Sequence, residues 1–378
     1  MTFGHELSLV FWAGFAILSF IIRISSLLLI PRRHSPSTAT AWLLVILLWP
    51  WPGIIAYSFF GTNVLPKRRM ERHNAALSRL QDFRDRLRAH HPGAARPTLP
   101  PSLAATANLA ENLGYLNAVQ GNSVRGVTSA EEFIEALAAE IDAATSEVSL
   151  LYYIFNDDIY GRKVIDACRR AARRGVTVRM LLDSVGSRDF LRSALKNDIR
   201  RDGVNVTEAL PVRFYRVKAA RFDLRNHRKL AIIDRRVAFT GSHNVTAPSY
   251  GRSDRMLWMD VSLILEGPVV RQLESVFLED WYVETGELLD TPHLFSPPTT
   301  PGNACLQTVP SGPSYSTENY QRLIIASIIG AQQQVTITTP YLIPDEGMLQ
   351  AIEVARLRGV KVRLVIPAKS DQIIVGYA

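Results

Sequence analysis

Residues Glu147 to Asp183 read "EVSLLYYIFNDDIYGRKVIDACRRAARRGVTVRMLLD". EVSLLYYIF is an apolar run of strand length, and VTVRMLLD is another. GRKVIDACRRAARRG between them carries its apolar residues at helical spacing. Strand, helix, strand in this order is the crossover unit of a parallel sheet, so the fold class is mixed α/β. Just upstream, SAEEFIEALAAEIDAA opens on a serine placed to cap a helix.

The same pattern returns later. ENYQRLIIASIIGAQQQVTITTPYLIPDEGMLQAIEVARLRGVKVRLVIPAKSD reads helix, strand, loop, helix, strand. RRGVTVRMLLD (Arg173–Asp183) aligns with LRGVKVRLVIP (Leu357–Pro367), which sets Gly175 on Gly359 at an offset of 184. Duplication on this scale predicts two similar domains. A first domain is expected over 126–286, a linker over 287–315 and part of a second domain over 316–378. A polar helix and a Pro-rich linker fill 66–125.

Residues 1–65 are different. Ser8–Ile30 and Thr38–Phe60 are two largely apolar windows, the first interrupted by Arg23 and the second without charge, each longer than the roughly 20 residues that cross a bilayer. They predict a transmembrane helical hairpin, bent in its second arm by Pro50 and Pro52. A secretory signal fits poorly, because no Lys or Arg precedes the first window. The turn holds Arg32 and Arg33, whereas Lys67, Arg68, Arg69 and Arg72 follow the second window. That excess favours both ends in the cytoplasm.

Between Arg162 and Lys229 there are 19 Lys and Arg against 7 Asp and Glu, although the whole chain carries only +8. Such a face suits a polyanion, and beside a membrane anchor the polyanion is expected to be lipid. Cys168 and Cys305 stand far apart and suggest neither a disulfide nor a zinc site. His90, His91 and His293 lie in loose stretches without metal-binding partners.

The chemistry concentrates in "NHRKLAIIDRRVAFTGSHN", Asn226–Asn244. NHRKLAIID is strand-like, so His227 and Lys229 share a face and Arg228 points away. Asp234, an odd number of residues from His227, falls on the other face or in the DRR turn. VAFTG then runs back, bringing Gly241–Asn244 level with Lys229–Asn226 and setting Ser242 and Asn244 beside the His/Lys pair. A neutral imidazole attacks phosphorus, and an ammonium offsets charge on the non-bridging oxygens. His243 falls on the variable position of Gly-Ser-x-Asn and is read as incidental.

This His-x-Lys-x4-Asp followed by Gly-Ser-x-Asn resembles the signature of the phospholipase D superfamily. With WPWPGIIAYSFFGTN, LWMDVSLILEGPVVRQLESVFLEDW, VPSGP and TPYLIPDEGMLQAI, the chain is similar throughout to bacterial cardiolipin synthases. The resemblance implies two tandem phospholipase D-like α/β domains, no metal or other cofactor, and a multi-pass protein of the bacterial inner membrane with a cytoplasmic catalytic part. The implied reaction joins two phosphatidylglycerols into cardiolipin with release of glycerol, through a phosphohistidine. The implied partners are anionic phospholipids and the membrane, not nucleic acid. His227 matches one of the family's two catalytic histidines, with Lys229 and the motif carboxylate Asp234 beside it in the catalytic set. Lys229, Ser242 and Asn244 match the phosphate-holding positions. Asp260, in LWMD, is expected to orient the His227 ring.

A second His-x-Lys-x4-Asp would fall near residue 411 and is not in the 378 residues. Three readings stand: a chain truncated before its second motif, a homodimer pairing two His227 side chains, or a membrane-anchored lipid binder without catalysis. A single-motif phosphodiesterase or nuclease is the enzymatic alternative. The first reading is preferred, since a single-motif dimer has no evident need for a partial second domain.

Overall fold

The computed structural model describes residues 2–61, 67–90, 97–212, 224–251, 257–289, 299–315 and 317–368. His91 and His293 lie outside the described residues, as does the side chain of His90. The chain divides into two compact units, Met1–Leu65 and Pro66–Ala378.

The first unit is three helices: α1 (Thr2–Leu29), α2 (Pro36–Leu48) and α3 (Pro50–Phe60). Within α1, Val10–Leu29 is long and apolar enough to cross a membrane. The second apolar window forms two helices and not one long span. The chain turns at Trp49 (φ −130°, ψ 81°) because Pro50 has no N–H to continue α2. The break frees carbonyls at the end of α2, and Arg23 Nε donates to one of them, Leu47 O, at 3.1 Å. The one charge in the first window therefore serves the kink in the second. Trp51 lies stacked on Phe15 and donates to Ser19 Oγ at 3.0 Å, fastening α3 to α1.

The second unit opens with α4 (Lys67–His90) and α5 (Pro101–Gly114), followed by an eight-stranded sheet. Its strands are β1 (Val119–Val127), β2 (Glu147–Tyr152), β3 (Thr177–Asp183), β4 (Asn205–Ala209), β5 (Leu230–Ile233), β6 (Val237–Gly241), β7 (Ser262–Glu266) and β8 (Ala304–Leu306), in the order β4-β3-β2-β5-β6-β7-β1-β8. β2, β3 and β4 run parallel and every other pairing is antiparallel. β8 and the start of β1 come from stretches that the sequence reads as linker.

Alternation along each strand builds two cores. Ala231 and Ile233 of β5 join Phe133, Leu137 and Val164 from α6 (Ala130–Ala143) and α7 (Ile159–Arg173) on one face. Leu230 and Ile232 join Leu273, Phe277 and Trp281 of α10 (Val269–Thr285) on the other. Two short helices, α8 (Arg188–Arg192) and α9 (Ala194–Arg201), link β3 to β4. Cys168 is fully buried in the first core, where burial pushes its thiol up to about 12. α4 docks on α10: Arg69 pairs with Glu284 at 2.5 Å, Arg72 donates to Val283 O at 3.0 Å, and Arg79 lies 5.0 Å from the Tyr282 ring.

Ion pairs also consume much of the basic run. Arg162, Lys163, Arg169, Arg170, Arg173, Arg179, Lys196 and Arg201 each meet a carboxylate within 4.0 Å. Four of these pairs draw on acids outside the run, Asp157, Glu135, Asp142 and Glu147, and so reduce the excess read from the sequence.

The crossover β2–α7–β3 recurs as β9 (Gln334–Thr338), α12 (Glu346–Leu357) and β10 (Lys361–Val365), again parallel, with α11 (Asn319–Gly330) preceding it. Both helices end in a Schellman turn on a glycine at positive φ, Gly175 (+90°) and Gly359 (+83°). Val176 N donates to Ala171 O at 3.1 Å, and Val360 N to Ala355 O at 3.0 Å. Arg174 and Arg358, one residue before those glycines, each donate to carbonyls closing the preceding helix: Ile141 O and Ala144 O, and Ile329 O and Ala331 O. The N-caps Asp158 and Asp345 are 187 apart while the glycines are 184 apart, since α12 has 12 residues and α7 has 15.

Candidate active site

β5 pairs with β6 through Leu230↔Thr240 and Ile233↔Val237. Continued outward, this register puts Lys229 level with Gly241 and Asn226 level with Asn244. In the three-residue loop 234–236, Asp234 (φ 49°) and Arg235 (φ 54°) both take the left-handed region, and Arg236 N donates back to Ile233 O at 3.0 Å. Two anchors hold this costly conformation. Arg235 Nε lies 2.6 Å from Glu147 and 3.0 Å from Glu274. The Asp234 carboxylate accepts from Thr145 N and Oγ1, Ser146 N and Oγ, and Glu147 N, all within 2.9 Å. Asp234 is therefore not beside His227. It sits at the opposite end of β5 with its oxygens occupied, and those donors hold it down to about 2 against the opposing effect of burial.

Residues 226–229 overhang the sheet. Asn226 and Arg228 turn to α10, where both reach Asp280. His227 and Lys229 turn the other way and meet Tyr153, the residue that follows β2. The His227 ring stacks on the Tyr153 ring, centroids 4.0 Å apart and planes 28° apart. Lys229 Nζ lies 5.3 Å from the same centroid and donates to His227 O at 2.7 Å. One aromatic ring thus carries both groups.

Tyr153 is itself fixed. Its carbonyl accepts from Ser187 Oγ at 2.9 Å, and the next amide, Ile154 N, donates to Asn244 Oδ1 at 3.0 Å. Gly186 runs so close that a Cβ there would lie 2.3 Å from Tyr153 O. Gly186 N donates in turn to Asp183, at the end of β3, and Asp183 Oδ2 lies 3.3 Å from Arg225 Nε. The cluster occupies the C-terminal ends of parallel strands, where α/β sheets place their ligands.

The charges are informative. Withdrawal from water lowers the His227 imidazole from its ordinary 6.5 to about 4, and the cations of Lys229 and Arg225 act in the same direction. The residue as a whole is exposed, and a ring lowered in this way is neutral at pH 7. Burial brings Lys229 down to about 8, with Asp260 opposing the fall, so it is mostly charged at pH 7.

Asp260 is half-buried, and its charge acts on Lys229 and His243. Among the described residues no hydrogen bond or ion pair joins it to His227, so the expected orienting contact is not made and the Tyr153 stack holds the ring instead. Ser242 and Asn244 return to the right level with their polar groups engaged. Ser242 Oγ accepts from Val261 N at 2.9 Å, and Asn244 also donates to Tyr250 Oη at 3.2 Å. His243 is buried against Phe133 and bonded to Ser262 Oγ, away from the cluster. Tyr153 was missed in the sequence. Its signal was position, the first residue beyond a buried parallel strand.

A protein-family model described as "Cardiolipin synthase, PLD-like domain" matches residues 137–281 and 324–378. Cardiolipin synthase A of Edwardsiella ictaluri (strain 93-146) is 35% identical over 370 residues, covering 95% of this chain and 74% of that protein. Cardiolipin synthase A of Pectobacterium carotovorum subsp. carotovorum (strain PC1) is 35% identical over 367 residues, 93% of this chain and 73% of that one. Among solved structures, phosphatidylserine synthase of Haemophilus influenzae Rd KW20 aligns with a TM-score of 0.47 at 13% identity, over 69% of this chain and 65% of that one. The chain belongs to the cardiolipin synthase family with a phospholipase D-like domain.

Proposed function

We propose that this chain is a membrane-anchored phosphatidyltransferase that forms cardiolipin from two phosphatidylglycerols. The observation that carries the reading is a neutral, exposed imidazole beside a cationic lysine on one aromatic support. The His227 lone pair attacks the phosphorus of the first lipid. The bond to its glycerol breaks, and the glycerol oxygen leaves with a proton from a general acid. A hydroxyl of the second lipid then attacks phosphorus, gives its proton to the same group and frees the imidazole. The Lys229 ammonium offsets the charge that builds on the non-bridging oxygens. The acid is assigned to a second histidine, supplied by a second motif or by a second copy of the chain.

Two tandem phospholipase D-like domains are part of the proposal, supported by the recurring crossover and its paired Schellman turns. So is anchoring in the bacterial inner membrane through α1 with α2 and α3, the second unit facing the cytoplasm, supported by the length of Val10–Leu29 and the basic residues after Leu65. In this reading Lys229, Ser242 and Asn244 hold the phosphate oxygens. The test is to incubate the full chain, alone and with a relative inactivated at its own counterpart of His227, in vesicles of phosphatidylglycerol and to measure cardiolipin by mass spectrometry. Product dependent on His227, with an acid-labile radiolabel on the protein from phosphorus-labelled lipid, is expected. Product that survives His227→Ala in every mixture would refute it.

A further inference from the structure

The residue between the histidine and the lysine is the variable position of the motif, yet here it is the most heavily anchored of the three. Arg228 Nη1 donates to both oxygens of Asp280 at 2.7 and 2.6 Å, and Nη2 donates to Ser311 O at 2.7 Å. Its guanidinium lies 5.8 Å from the centre of the Tyr315 ring. Asn226 Nδ2 reaches the same carboxylate at 3.0 Å, while its Oδ1 accepts from Arg228 N at 3.1 Å.

The preceding acid on α10, Glu279, gathers two more elements. It accepts from Tyr315 Oη at 2.7 Å and lies 2.8 Å from His73 Nδ1 of α4. The His73 ring meets the Tyr315 ring edge-on at 4.7 Å. His73, Glu279, Asp280 and Tyr315 are all at most 8% exposed.

The physical need for such an anchor is clear. β5 begins at Leu230, so residues 226–229 have no continuous ladder to fix which way each side chain turns. A buried ion pair adds little net stability over apolar packing, and its best use is to fix one arrangement among several. We infer that Arg228 is a positioning residue: with Asn226 it pins the overhang to Asp280, so that His227 and Lys229 face Tyr153, and through Glu279 and Tyr315 the same anchor ties that face to α4 and to segment 311–315. This rests on the reading of His227 and Lys229 as the reacting pair.

The test uses the full chain in detergent with phosphatidylglycerol. Arg228→Met with Asp280→Leu removes the pair without leaving a buried charge alone. Its thermal midpoint should stay within about 5 °C of the parent. Its kcat should fall about 100-fold with KM within about threefold, as displacement of a catalytic group by an ångström does. Arg228→Lys keeps the charge but loses the fork to Asp280 and Ser311, and should lower kcat at least about tenfold; it decides the matter if the double variant does not fold. A second readout needs no turnover: the pH midpoint for carbethoxylation of His227, followed by peptide mass spectrometry, should rise toward 6.5 as the ring leaves Tyr153 and the neighbouring Lys229 and Arg225. Unchanged kcat and an unchanged midpoint in either folded variant overturn the inference. If the parent and its mixtures make no cardiolipin, the functional reading fails and the midpoint alone decides the positioning role.

Discussion

Asp234 carries the letter D of the motif, so a substitution there separates a catalytic reading from a structural one. Asp234→Asn is the informative change, because asparagine tolerates the left-handed backbone (φ 49°) that the turn requires. The carboxylate is held down to about 2, against an unfolded value near 3.9; at about 1.36 kcal/mol for each tenfold this is roughly 2.6 kcal/mol, which solvent at the half-exposed turn reduces to about 1. The new amide also turns a donor toward the Thr145 or Ser146 pair of donors, costing about 1–2 kcal/mol more. The expected loss is therefore about 2–3 kcal/mol, read from urea unfolding of the full chain in detergent with tryptophan fluorescence. Since the folded carboxylate is the stronger acid, its contribution is present above about pH 4 and fades as the pH falls toward 2. The gap between parent and variant should narrow over that window. Turnover per folded molecule should stay within about threefold. A hundredfold loss of turnover with unchanged unfolding would show that Asp234 acts in the chemistry.

Three further outcomes are expected. The lysine's descent to about 8 predicts that kcat/KM falls as pH rises through about 8, and Lys229→Arg should remove that alkaline limb while leaving the profile otherwise flat in this region. On the acid side, a neutral imidazole predicts no loss between pH 7 and 6; an inflection near 6.5 would contradict the lowering of His227 to about 4. Tyr153→Ala should raise the His227 midpoint, measured by NMR, and cut kcat about tenfold, while Tyr153→Phe retains the stacking surface and most of the rate.

Local pattern carried the sequence reading a long way. The β2–α7–β3 crossover, its second copy and the register that levels Gly241–Asn244 with Lys229–Asn226 all follow from periodicity and turn chemistry, which act over a few residues. The separation of Arg228 from His227 and Lys229 followed from parity, and parity with the DRR turn kept Asp234 off their face. What stayed hidden depends on distant partners. Nothing near Tyr153 in the chain announces that residues 227 and 229 will lie on its ring, more than 70 positions later. Asp260 was assigned to His227 because a nucleophilic ring calls for a carboxylate, but its charge acts on Lys229 and His243. Part of the basic run looked free because Asp157, Glu135, Asp142 and Glu147, which pair with it, lie outside the run in the chain.

The two crossovers also behave as a ruler with fixed ends and a replaceable middle. Aspartate at the front, arginine and glycine at the back, and the C-cap alanine carbonyl that the arginine clasps (Ala144, Ala331) recur in both copies. Only the helix between them differs, by three residues, about 4.5 Å of rise and some 60° short of a whole turn. The parallel pairing survives that difference because the end fittings, and not the span, set where each following strand begins. Grafting the shorter helix between the first copy's own fittings is thus a small engineering step, and it would measure how much slack the crossover holds.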